Sequence, residues 1–178
     1  MTKERATGRI SVVLAVAVSV IAVGAAILDH RSSAAPIEPR VTWEQHVERV
    51  DAALASHDLR TAREVVRDAY AAAVMSRRWE PLLQVGDAQR RLEEASGFAT
   101  LGNASARANY LFALFRARDQ RSLDGVLQAA AAFSRLGDAS VVRQALVVAR
   151  DLAGRDAVAH ARVDIAADEL GARLASAD

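Results

Sequence analysis

The side chains from which chemistry could be built here are histidine, carboxylate and arginine. Four histidines, His30, His46, His57 and His160, are the only imidazoles, and no two stand at a metal-ligand spacing. HExxH is absent. With no Cys the chain has no thiolate nucleophile, no zinc–cysteine site and no disulfide. The carboxylates come as neighbours, Glu93-Glu94 and Asp168-Glu169. Successive helical residues do not face each other, so these read as solvated surface rather than as acid/base dyads. Neither GxxxxGK[ST], GxGxxG nor GxSxG occurs. The expectation is a protein without a cofactor or metal and without catalysis. An unrecognised helical enzyme or ligand-binding domain stands as the remote alternative.

Arginine supplies almost all the positive charge, since Lys3 is the only lysine. Arg77-Arg78 and Arg90-Arg91 lie at the two ends of one predicted helix. Arg116, Arg118 and Arg121 gather near the end of the next, where cations suit the helix dipole. Acidic residues are interspersed and the formal net charge is only +1, so nucleic acid is not expected as a partner.

The elements that must position these groups begin with a membrane segment. Ile10 to Leu28 is nineteen residues without a charge. At about 1.5 Å per residue it reaches about 28 Å, the thickness of a bilayer's hydrocarbon. A buried core helix would show a polar face, and this run has none. A cleaved signal peptide is the rival reading. Its apolar region is usually shorter, about 7–15 residues, and Pro36 behind the small residues Ser32, Ser33, Ala34 and Ala35 hinders cleavage. Lys3, Arg5 and Arg9 precede the span, whereas Arg31 and Arg40 follow it among acids. The positive side stays cytoplasmic. The expected layout is therefore a cytoplasmic tail over 1–9, a single signal-anchor span over 10–28 in an inner or plasma membrane, a linker over 29–41, and an extracytoplasmic domain over 42–178. Ala15, Ser19, Ala22 and Ala26 place small residues on one stripe of the span, where a second copy could pack. The linker, DHRSSAAPIEPR and Val41, holds two prolines and two serines and is not helical.

From Thr42 onward the apolar residues recur at a helical period, and the domain is all-α with about seven helices. The first spans Trp43 to Ala55 behind a capping box of Thr42 and Gln45. Asp58 caps the second. Pro81 opens the third, which GFATLGN breaks. Asn103 is expected to cap the fourth. A fifth runs from about Ser122, Asp138 caps a sixth, and Gly154 and Asp156 start a seventh towards Leu174. No strand or hairpin pattern is present.

The helices come as similar pairs. Ala62, Val66 and Ala69 share their internal steps with Ala106, Tyr110 and Ala113, and with Val142, Leu146 and Ala149. With Val85-Gly86 as a Leu-Gly-like pair, Thr42 to Leu152 resembles a degenerate tetratricopeptide (TPR) array, with a generic helical bundle as the alternative. Its spacings of 44 and 36 residues depart from that family's 34. The resemblance implies that the first helix of each pair lines a concave groove, with Leu83, Asp87, Arg90, Arg91, Ala131 and Arg135 as partner contacts. Val47 and Asp51 stand where the carboxylate-clamp members carry Lys and Asn, so chain-terminal carboxylates are not implied. The layout is similar to that of bacterial membrane proteins with an exported TPR domain. It implies an adaptor or accessory subunit of an envelope complex, binding an unidentified protein or peptide. The alternative is a structural subunit or homo-oligomer of a membrane complex.

Overall fold

The computed structural model describes residues 42–97 and 99–176. The described residues form seven α-helices and no strand. They are α1 (Trp43–Ala55), α2 (Leu59–Ser76), α3 (Glu80–Ala95), α4 (Ala99–Asp119), α5 (Leu123–Arg135), α6 (Ala139–Ala153) and α7 (Ala157–Ala175). Among these residues no helix is long and apolar enough to cross a membrane. The segment Ile10 to Leu28, with its stripe Ala15, Ser19, Ala22 and Ala26, lies outside the described residues.

The helix starts follow local chemistry. The Thr42 hydroxyl accepts from the Gln45 amide at 3.4 Å, and the Gln45 side-chain oxygen accepts from the Thr42 amide at 2.9 Å. Asp58, Ser122, Asp138 and Asp156 each accept from first-turn amides of α2, α5, α6 and α7. One start differs from expectation. α4 begins at Ala99, so Gly102 and Asn103 lie inside it and Asn103 is not its cap. Gly97, at φ +73°, is enough to end α3. A single interior glycine costs a helix only about 1 kcal/mol, and the later turns of α4 are fixed by Tyr110 against α3.

Each helix touches only helices one or two places away in the chain. The closest partnerships are within the pairs α1–α2, α3–α4 and α5–α6. A closed bundle would bring early and late helices together, and here none meet. The odd helices follow one another in contact: α1 with α3, α3 with α5, α5 with α7. The even helices meet less: α4 touches α6, while α2 and α4 do not pack backbone to backbone and are bridged by the Arg116 side chain. The odd helices therefore form the inner layer of the array and the even ones the outer layer. Every position of the repeated pattern is buried: Ala62, Val66, Ala69, Ala106, Tyr110, Ala113, Val142, Leu146 and Ala149.

Two glycines set the closest approaches. A Cβ on Gly86 would stand 2.4 Å from Cε1 of the fully buried Tyr110. One on Gly125 would stand 2.6 Å from the Ala117 Cβ and 2.8 Å from the Trp79 indole. Gly171, by contrast, has nothing within 4 Å of that position. Opposite signs follow for the same substitution. Gly171→Ala should stabilise by about 0.5–1 kcal/mol through helix propensity. Gly86→Ala should destabilise by about 1–3 kcal/mol through overpacking. Thermal unfolding of the two full-length variants beside the parent, followed by circular dichroism in mild detergent, should move the midpoint up for the first and down for the second.

Candidate functional site

The inner layer is crossed by ion pairs that run from each odd helix to the next. Asp51 of α1 accepts from Nε and a terminal nitrogen of Arg91 of α3, at 3.0 and 2.7 Å. Asp87 of α3 accepts from Arg135 of α5 at 2.6 Å. Asp124 of α5 accepts from Arg162 of α7. The first two rungs use equivalent positions, an aspartate on one helix and an arginine one turn further along on the next. At the corresponding position of α5 stands Ala131, and the third rung moves to Asp124. All three pairs are partly exposed, so each contributes at most about 1 kcal/mol. Their geometric effect is to tie neighbouring pairs in register.

The middle rung continues into the core. The Tyr110 hydroxyl donates to the same Asp87 oxygen at 2.6 Å, and the Tyr110 ring meets Phe133 edge-on, 5.9 Å between centroids. Arg107 lies over the Phe133 ring and reaches Asp138, the cap of α6, at 2.8 Å. Burial, together with the hydrogen bond to Asp87, pushes the Tyr110 phenol up to about 12. Burial alone would also raise Asp138. The Ser140 hydroxyl, Arg107 and the Val141 amide outweigh it and hold that carboxyl below its usual range.

The six groove residues expected from the sequence are thus placed unevenly. Asp87, Arg91 and Arg135 lie on the inner layer but are engaged with other helices. Leu83 is buried in the core and is not a surface contact. Its position faces inward because α3 is covered by four helices, α1, α2, α4 and α5. Ala131 is half-buried against the core. Arg90 pairs with Glu94 on its own helix, and its Nε is buried without a partner. Unlike Arg91 and Arg135, it makes no ion pair with another helix.

An open cleft of about 470 Å³ lies between α2 of the outer layer and α3 of the inner layer. Arg60, Arg63, Glu64, Arg67 and Gln89 rim it above Val66 and Leu92. Arg60 bonds Glu64 at 3.4 Å and Arg63 bonds Ser96 at 3.3 Å. Sequence reasoning missed this cleft, although Arg60, Arg63 and Arg67 at helical spacing were there to be read. Among the described residues no group of three His, Asp or Glu is placed to hold a metal. His57 occupies a turn at φ +59°, and the His160 ring lies 3.1 Å from the Gly154 carbonyl.

Compared with known proteins, the chain matches no family model, no curated protein and no solved structure.

The Tyr110 hydroxyl is open to a direct test. The folded protein holds the phenolic proton more tightly than the unfolded chain, whose phenol loses it near 10. Its contribution to stability is therefore complete below pH 10 and is lost as the pH climbs from 10 towards 12. Tyr110→Phe should cost about 1 kcal/mol at neutral pH. It should also remove this alkaline decline, by up to about 2–3 kcal/mol, in urea unfolding measured from pH 8 to 12.

Proposed function

We propose that this chain is a membrane-anchored protein-interaction module. Its open array of helical pairs, similar in pattern to a degenerate TPR domain, presents an inner face to a protein or peptide partner. One observation carries this reading: among the described residues helices contact only their near neighbours, and no described element covers the inner layer. A stack of this kind gains its stability pair by pair and keeps an extended surface free for a ligand. The apolar run Ile10 to Leu28 supplies the anchor, with the N-terminus cytoplasmic and the helical domain on the other side. The role this supports is that of an adaptor or accessory subunit of an envelope complex, without catalysis of its own.

A second reading, a structural subunit or homo-oligomer, draws on the outer layer. Phe112 of α4 and Val147 of α6 are about half exposed, at 51% and 56%. Apolar side chains left in water on two outer-layer helices suit a permanent neighbour.

Affinity capture of the full-length protein from detergent-solubilised native membranes separates the two, with Arg90→Glu/Ala131→Glu as the inner-face variant. That variant substitutes no member of the three inter-helix ion pairs. The proposal expects a partner that is bound by the parent and reduced at least tenfold by the variant, while circular dichroism stays unchanged. Equal capture by both would move the contact off the inner face. Recovery of the protein only with itself, at fixed stoichiometry, would favour self-assembly.

A further inference from the structure

Helices that alternate in direction give the array two ends. One carries the start of α1 and the three turns α2–α3, α4–α5 and α6–α7. Arg116 ties part of this end together by donating to the carbonyls of Val74 and Arg78, at 3.1 and 3.2 Å. Gln120 adds a bond to the Arg77 carbonyl at 2.7 Å. Glu44, in the first turn of α1, lies near enough to Arg78 to act on its guanidinium. The described residues begin at this end, at Thr42.

The turns at the two ends differ in a consistent way. Each of the three at this end presents an arginine with no ion-pair partner among the described residues: Arg77, Arg121 and Arg155. The three turns at the other end carry His57, Gly97 and Gly137 at their tips and no arginine. Arg77 and Arg121 hold left-handed backbone, φ +57° and +54°, where glycine serves at Gly97, Gly137 and Gly154. An arginine in that conformation is strained relative to glycine. Among the described residues neither guanidinium makes a hydrogen bond or an ion pair.

An exposed apolar side chain accompanies each tip. Met75 is 71% exposed, Phe115 51% and Val158 72%. Arg118 lies over the Phe115 ring at 5.5 Å. Most acids at this end are engaged: Glu80 with Arg78, Asp119 with Arg118, and Asp156 with the Val158 and Ala159 amides. Glu44 and Asp151 form no ion pair among the described residues. Guanidinium groups beside apolar side chains, raised on turns, are what an anionic lipid surface accepts: the cations meet headgroups while the apolar chains enter the interface.

We propose that this end of the domain docks on the anionic surface of the bilayer that anchors the chain. The inference rests on the anchor reading above. The linker of residues 29–41 reaches about 40 Å when extended at about 3.1 Å per residue. Charge acts over only about 8 Å at physiological salt. The tether alone thus leaves the domain free, and docking adds an orientation. It holds the tips against lipid and turns the opposite end away from it.

The test uses the full-length chain, whose lack of cysteine permits single labels. Ala157→Cys at the docking end and Ala95→Cys at the other, both exposed, carry an environment-sensitive fluorophore. The chains are reconstituted into vesicles of phosphatidylcholine, with or without phosphatidylglycerol, containing headgroup-spin-labelled lipid as quencher. The proposal expects the probe at 157 to be quenched in the phosphatidylglycerol vesicles and released by high salt. Arg77→Glu/Arg121→Glu/Arg155→Glu should weaken docking on the order of a hundredfold, about fivefold per arginine. The probe at 95 should stay unquenched throughout. Equal signals from the two positions, or quenching at 157 indifferent to lipid charge and to the triple substitution, would overturn it. An alkaline carbonate wash of the same vesicles separates the failures. A chain that washes off ends the anchor reading and this inference together, whereas a retained chain with a silent probe at 157 ends only the docking.

Discussion

Close approach of helix backbones is the constraint from which the rest of this domain follows. The chain is poor in aromatic residues, at 4%, and cannot fill wide gaps between helices. It packs instead through Ala and Gly, with alanines 62, 69, 73, 106, 113, 117, 129, 130, 145 and 149 all fully buried. Dispersion and apolar burial then come from many short contacts rather than a few large side chains. The large residues that remain are placed where a gap is unavoidable. The Tyr110 ring lies against Gly86 and Phe133, and Trp79 lies against Gly125. Such packing is satisfied between neighbours in sequence. It explains why the helices form an open series of pairs and do not gather around one centre.

A series held together by apolar neighbours alone would be free to slide. The Asp51–Arg91, Asp87–Arg135 and Asp124–Arg162 pairs limit that freedom along the inner layer. On the outer layer, Arg116 and Gln120 reach back from α4 to the carbonyls at the end of α2. Each of these contacts is modest in energy because it is partly exposed. Together they fix register, which apolar contacts specify poorly. Asp51, Asp87, Arg91 and Arg135 of the inner face are thereby engaged in holding the array, whereas Arg90 pairs only with Glu94 of its own helix.

Much of the fold was legible in the sequence because its signals are local. Thr42 with Gln45, Asp58, Ser122, Asp138 and Asp156 act within one helical turn of themselves, and all five start helices as expected. The steps shared by Ala62-Val66-Ala69 and Ala106-Tyr110-Ala113 reported burial correctly. Asn103 misled because a cap is only favourable if a helix begins there, and contacts far along α4 favoured an earlier start. The site was less legible for a different reason. Whether Leu83 faces a groove or a neighbouring helix, and whether Arg91 finds Asp51, depends on the register between helices about 40 residues apart. No local pattern encodes that. The arginines at left-handed turn positions were likewise invisible, since a sequence does not display the sign of φ.

The central claim is that the domain is an open series whose stability is assembled pair by pair. Hydrogen exchange measured by mass spectrometry on the full-length protein, comparing the parent with Val163→Ala, tests it most directly. Val163 is fully buried in α7, a helix that contacts only α5 and α6. The account predicts that protection falls in α5, α6 and α7 while α1 and α2 keep theirs. Loss of protection spread evenly from α1 to α7 would show a single cooperative bundle and contradict it.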